Sequence, residues 1–263
     1  GRLRRCVRDF AALRAVTELC IGPRRDGARV ALSGGAGRAR RTLAVCCVFV
    51  AGVARAQFAA QVGVASDYIY RGVSLNDGRP TPTASASYDA PAGWFVGGQV
   101  ADTRFYGGHG SEPLWVADAG YAHALTSRLS WEVGATYSIF THFAYWNYAE
   151  TFAGISAQNW NLRLYYAPNY FGRQRRSTYL EFNLTHPLGE HLRLIGHLGA
   201  QHSEPARGGS DDLVFDASLG AGAKFERFDL QLLWIAASHA NSVYPVPSSD
   251  GRRHWLLSAA CAF

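Results

Sequence analysis

From Gln57 to Phe263 apolar residues return at every second position, in segments of about ten residues broken by turn-forming residues. Period two is the geometry of a β-strand, whose successive side chains point to opposite faces. Across Ser130 to Phe140, Trp131, Val133, Ala135, Tyr137 and Ile139 share one face, and Ser130, Glu132, Gly134, Thr136 and Ser138 share the other. Phe228, Leu230, Leu232 and Trp234 oppose Asp229 and Gln231. Leu180, Phe182 and Leu184 oppose Glu181 and Asn183, while Leu162, Leu164 and Tyr166 oppose Arg163 and Tyr165. The pattern predicts twelve strands, over 58–71, 80–88, 94–102, 114–122, 129–140, 148–157, 160–167, 177–186, 191–201, 213–223, 228–237 and 253–263. Pro80 and Pro82 fit the second only near an end or a bulge.

The connections alternate in length. Those after even-numbered strands are short, such as Gln158–Asn159 and Lys224–Arg227, and those after odd-numbered strands are mostly longer, such as Thr103–Pro113 and Ser238–Arg252. That asymmetry, with an even strand number and both ends on one rim, predicts an all-β fold: a transmembrane antiparallel up-and-down β-barrel of about 12 strands with short periplasmic turns and longer extracellular loops. A soluble sandwich or lipocalin-like barrel alternates as well, with its apolar face inside. The connections, an export signal and the last strand favour the membrane barrel. In that strand Trp255, Leu257, Ala259, Cys261 and Phe263 alternate up to the final aromatic residue, a pattern suited to recognition by the barrel assembly machinery. Cys261 then faces lipid as a small apolar residue. Trp94, Trp131, Trp160, Trp255 and Phe263 are expected near the periplasmic rim or close to strand starts, with Tyr68, Tyr70, Tyr121, Tyr137, Tyr166 and Trp234 pointing outward. Charged residues make up 17% of the chain, below the ~25% of ordinary soluble domains.

The formal net charge of +6 divides unevenly. Residues 1–56 carry twelve arginines against Asp9, Glu18 and Asp26, a net of +9; residues 57–263 carry fourteen basic and seventeen acidic residues, a net of −3. Arg38, Arg40 and Arg41 precede the apolar run Thr42–Val53, and Ala54-Arg55-Ala56 follows it, which is the pattern of a cleaved signal peptide. Residues 1–37 are expected to be an unstructured upstream extension, 38–56 the signal peptide and 57–263 an outer-membrane barrel. Four of the five cysteines fall in the leader. The basic balance therefore indicates export, and no nucleic-acid partner is expected.

With the apolar face toward lipid, the opposite face supplies a lumen. Its candidate residues are Asp67, Arg71, Gln99, Asp118, Glu132, Glu150, Arg163, Glu181, Arg193, His197, Asp216 and Asp229, with seven carboxylates to three arginines. Such charges either pair across the wall or stand in water. Arg71 follows Asp67 by four residues on the same face of the expected first strand. An acidic lumen favours cations, so the leading expectation is passive diffusion of small solutes or ions through a narrow, weakly cation-favouring pore, which inward-folded loops could close. A surface-binding, adhesion or structural barrel is the alternative. An outer-membrane lipid hydrolase is less favoured, because Ser138 and Ser258 face the expected lumen and His123, His142, His186 and His254 show no nucleophile–base spacing. A metal site at the loop residues His109 or His202 and Glu204 is conceivable, but solvated loop side chains are the preferred reading; no phosphate-binding glycine loop or paired-cysteine zinc spacing occurs, and neither cofactor nor metal is expected. Outer-membrane lipid, lipopolysaccharide and small solutes are the expected partners.

The segment Ala65-Ser66-Asp67-Tyr68-Ile69-Tyr70-Arg71-Gly72-Val73-Ser74, followed by Pro80, resembles the opening of the TorF-type porin family. These are proteobacterial outer-membrane proteins also grouped as the Gcw_chp domain of unknown function. Further echoes occur at Asp118-Ala119-Gly120-Tyr121, Tyr148-Ala149-Glu150 and Tyr165-Tyr166-Ala167-Pro168. The family's usual Ser-Pro after the paired tyrosines is Ala167-Pro168 here. The resemblance implies an outer-membrane barrel with a channel role and marks Ser66, Asp67, Tyr68, Arg71 and Gly72 as motif residues; it implies no particular substrate.

Overall fold

The computed structural model describes residues 58–104, 110–205, 211–238, 244 and 253–263. The expected extension and signal peptide, and the loop residue His109, lie outside them. Twelve antiparallel strands close into a barrel: β1 (Phe58–Ala65), β4 (Thr81–Asp89), β5 (Trp94–Thr103), β6 (Glu112–Ala124), β7 (Ser130–Phe140), β8 (Tyr148–Ser156), β9 (Trp160–Ala167), β10 (Arg175–Pro187), β11 (Leu192–Pro205), β12 (Asp212–Phe225), β13 (Phe228–Ala237) and β14 (Arg253–Ala262). Each pairs with its neighbours in sequence, and β14 returns to β1 through Gln61↔Ala262 to Ala65↔Ser258. Closure satisfies every strand edge, the condition for a sheet that meets lipid.

The first strand is the main departure from the predicted spans. It stops at Ala65 rather than reaching residue 71, and the chain then forms a short hairpin, β2 (Ile69–Tyr70) with β3 (Val73–Ser74). Asp67 and Arg71 therefore do not share a face of strand one. Their positions come from this hairpin, in which Arg71 and Gly72 have φ of 46° and 77°. Two successive residues with positive φ are the signature of the tight type I′ turn. Pro82 is tolerated because it sits next to the start of β4 with its ring exposed.

The two faces of the barrel are inverted relative to a soluble protein. Val62, Val96, Leu164, Leu180, Leu198, Leu219, Leu232 and Leu257 are exposed on the outside, while Glu132, Asn161, Glu181, Asn183, Gln201 and Gln231 are buried within. Apolar side chains on the surface and carboxylates in the interior are unfavourable in water and favourable in a bilayer. Aromatic residues form two girdles. Trp94, Tyr121 and Trp131 make a contiguous ring cluster at the short-turn rim, with centroid separations of 5.1 and 5.9 Å. Trp234 and Trp255 pair in register at the long-loop rim, so Trp255 belongs to that end of the barrel. Tyr137 and Tyr166 face outward as expected, but Tyr68 and Tyr70 are buried, because they lie on the inserted hairpin rather than on a wall strand.

Lumen-facing glycines make room for the larger inward side chains. A Cβ on Gly134 would meet the Phe152 ring, one on Gly154 the Arg163 chain, and one on Gly222 the Arg193 guanidinium, all within 2.8 Å. Leu232→Arg places a cation midway along β13 on the lipid face. Its stability in phospholipid vesicles, read by denaturant titration of tryptophan fluorescence, is expected to fall by about 2–4 kcal/mol; a change near zero would contradict the membrane-facing assignment.

Candidate functional site: the occupied lumen

The long-loop end of the barrel is filled by the protein's own loops. The inserted hairpin supplies Tyr68, Tyr70, Val73 and Leu75, the short 3-10 helix η2 (Tyr170–Gly172) supplies Tyr170 and Phe171, and Tyr244 enters from a third connection. They pack against the wall residues Leu114, Val116, Phe140 and Tyr148. Phe171 adopts φ 50° and ψ 31°, a region that costs a bulky residue roughly 1–3 kcal/mol. It is held there by ring contacts with Tyr148 at 4.9 Å, Phe140 at 5.5 Å and Tyr244 at 5.9 Å.

The hairpin is fastened at its base and at its tip. At the base, one Asp67 carboxylate oxygen accepts the Tyr68 N–H at 2.7 Å and the Ser74 hydroxyl at 2.9 Å. The Leu75 N–H donates to the Tyr68 carbonyl, and Ser66 exchanges hydrogen bonds with the backbone of Leu257. Burial pushes the Asp67 carboxyl above its ordinary range, and the Ser74 and Tyr68 donors pull it back. At the tip, Arg71 enters the lumen. Its Nη2 lies 2.9 Å from both oxygens of Glu150, and its Nη1 donates to the Tyr170 hydroxyl at 3.1 Å. The guanidinium carbon stands 4.1 Å from the ring centroid of Tyr179, with Tyr70, Tyr170 and Tyr165 at 4.9, 5.4 and 5.5 Å. Burial raises the Tyr170 phenol to about 12, against the pull of the neighbouring Arg71 charge.

Below this clamp the lumen charges are paired. Arg163 Nε donates to Glu132 at 2.5 Å, and its Nη1 donates to the Tyr165 hydroxyl, which itself donates to Glu181. His197 is flanked by acceptors on both ring nitrogens, Asn183 Oδ1 at 2.6 Å and Asp216 Oδ1 at 2.7 Å. The imidazolium is the form that can donate to both. Nearer the short-turn rim, Arg193 donates to Asp229 at 2.8 Å. Asp118 and Gln99 also face inward, with Asp118 set against Gly97. The structure thus places Asp118, Glu132, Glu150, Arg163, Glu181, Arg193, Asp216 and Asp229 on the lumen side of the wall, whereas Asp67 and Arg71 reach it from a loop.

Sequence reasoning missed the phenols of Tyr148, Tyr170, Tyr179 and Tyr244 as parts of this site. For Tyr179 the signal was present, since it shares a face with Glu181. For Tyr170 and Tyr244, on loops, no periodicity applies. Ser138 and Ser258 are buried on the lumen side. His142 pairs with Glu112 at 2.9 Å. His202, Glu204 and Asp211 gather at the long-loop rim with exposed side chains.

Gly72 allows the tip to dock: its φ is 77°, and a Cβ there would stand 2.6 Å from Asp216 Cβ and 2.8 Å from Ala237 Cβ. Gly72→Ala is expected to dislodge the tip and expose the bond after Arg71 to trypsin in detergent micelles. Cleavage should accelerate by about tenfold or more, equivalent to about 1.4 kcal/mol of lost docking. Cleavage at the wild-type rate would contradict the docked hairpin.

Comparison with solved structures aligns the NanC porin with 78% of this chain and 98% of its own at a TM-score of 0.53 and 6% identity. The KdgM porin aligns over 78% of this chain and 99% of its own at 0.49 and 12%. At these identities the NanC likeness establishes the fold alone. Comparison with curated protein sequences finds no match. The sequence profile of a family described as "Bacterial protein of unknown function (Gcw_chp)" matches residues 51–260. This barrel, with its loop-filled lumen, belongs to the Gcw_chp family of bacterial proteins.

Proposed function

We propose that the protein is an outer-membrane porin that passes small solutes or ions by diffusion through a narrow, weakly cation-favouring lumen, with the short turns in the periplasm. The observation that carries this reading is a carboxylate-rich interior inside an apolar exterior. Asp118, Glu132, Glu150, Glu181, Asp216 and Asp229 face Arg71, Arg163, Arg193 and His197. Such an interior is hospitable to water and ions, and excess negative charge raises the local concentration of cations. The pairing of most of these charges braces the wall and leaves a small net field, which supports a weak preference. The loops in the long-loop mouth support a low conductance. Residues 38–56 act in this reading as a cleaved export signal. The C-terminal strand ending at Phe263 is the segment offered to the barrel assembly machinery, and lipid and lipopolysaccharide surround the wall. The lumen position of Ser138 and Ser258 argues against a lipid hydrolase, whose nucleophile must reach lipid.

Planar-bilayer recording of the purified protein under a potassium chloride gradient tests the reading. Discrete small conductance steps with a reversal potential of cationic sign are expected, and Asp118→Asn with Asp229→Asn should move that potential toward zero. Absence of steps across independent preparations would overturn the pore. Unchanged selectivity in the folded double variant would overturn the cation preference and assign both carboxylates to bracing.

A further inference from the structure

Arg71 is related to its surroundings as a guest to a host. Apart from the ring of Tyr70 on its own hairpin, the described groups that hydrogen-bond to or stack on its guanidinium belong to other elements: Glu150 to β8, Tyr165 to β9, Tyr170 to the η2 loop and Tyr179 to β10. These groups form a pocket with a defined chemistry. One wall is an aromatic face 4.1 Å from the cation, the geometry of cation–π stacking. Two carboxylate oxygens and a phenol oxygen accept from its N–H groups, at 2.9 to 3.1 Å. A flat, forked donor satisfies both demands together. A quaternary ammonium satisfies only the first, because it has no N–H to donate. The guest is delivered by the two-residue turn of a short hairpin, at a residue whose φ of 46° is strained for a side chain. The base of the hairpin is anchored separately, through Asp67, Ser74 and the backbone of Tyr68 and Leu75.

We propose that Glu150, Tyr165, Tyr170 and Tyr179 form a recognition site for small solutes bearing a guanidinium group, and that Arg71 is its tethered occupant. The inference rests on the pore reading only for the route by which such a solute arrives. A tethered guanidinium competes at the high effective concentration of an intramolecular ligand, so the wild-type site binds free solute weakly and opens to it when the tip withdraws. The same residue then closes the lumen and selects what passes it, since a solute that displaces Arg71 must offer the chemistry that Arg71 offers.

Titration calorimetry on the full chain in detergent micelles, with agmatine as the probe and choline as the control, tests this directly. Arg71→Gly vacates the pocket and suits the backbone of the turn. Its fold is checked by heat-modifiable migration on a denaturing gel, and Arg71→Ala carries the same expectation should the glycine variant fail that check. The vacated variant should bind agmatine at least about tenfold more tightly than wild type and should not bind choline measurably. Adding Glu150→Gln should abolish the gain, and agmatine should reduce the current of the vacated variant in bilayers. Agmatine binding no tighter than wild type, equal binding of choline, or a gain that survives Glu150→Gln would each overturn the site. A folded variant that binds agmatine as expected but conducts nothing supports the site and overturns the pore reading instead.

Discussion

An arginine side chain inserted into a membrane barrel must be met by an opposite charge and by groups that replace its water, and the arrangement around Arg71 meets both needs. Glu150 supplies the charge, the Tyr170 hydroxyl a further acceptor, and the tyrosine rings a polarisable wall. Removal of one member of such a buried pair typically costs about 3–5 kcal/mol, because the other is left uncompensated. That coupling decides where the hairpin sits. The hairpin in turn covers the aromatic cluster of Phe140, Tyr148, Phe171 and Tyr244. Without the clamp, the tip of the hairpin would lift from this cluster while its base stays fastened through Asp67, Ser74 and the Leu75–Tyr68 backbone bond.

The remainder of the lumen follows the same logic with fixed partners. Glu132, Arg163, Tyr165 and Glu181 form one hydrogen-bonded chain, and Tyr179, Asp216, His197, Asn183 and Asn161 form another. Where these bonds join adjacent strands, as Tyr165 to Glu181, Asn183 to Asn161, and His197 to Asn183 and Asp216, they also fix strand register. Large inward side chains lie over inward glycines, such as Phe95 over Gly120 and Tyr179 over Gly199. That division of space keeps a twelve-stranded barrel compact inside while its outer wall stays predominantly apolar.

Much of this was legible in the period-two pattern. The wall strands were readable because a strand with one face in lipid and one in a polar lumen has no ambiguity of register, and Glu132, Arg163 and Glu181 follow from it at once. The pattern failed at residues 66–71, which read as the end of the first strand. There Asp67, Tyr68, Tyr70 and Arg71 continue the alternation closely enough to read as strand, although Arg71-Gly72 is a turn with two positive φ angles. Gly72 was the local clue, since a glycine between an arginine and a valine suits a tight turn better than a lipid-facing wall. The convergence of Tyr148, Glu150, Tyr165 and Tyr170 on Arg71 was not readable, because it depends on a loop folding inward over a distance that no local period encodes. The family-like segments nonetheless contained most of its members.

Arg71 and Glu150 hold the hairpin of residues 66–75 inside the lumen. Backbone hydrogen exchange of the folded protein in micelles, resolved to this segment, tests this most directly. The amides of Tyr68 to Leu75 should exchange about a hundredfold more slowly than those of the exposed turn at Asp77 to Arg79, and Glu150→Gln should erase most of that difference while the wall strands stay protected. Exchange of Tyr68 to Leu75 in the wild type as fast as in the exposed turn would contradict the account.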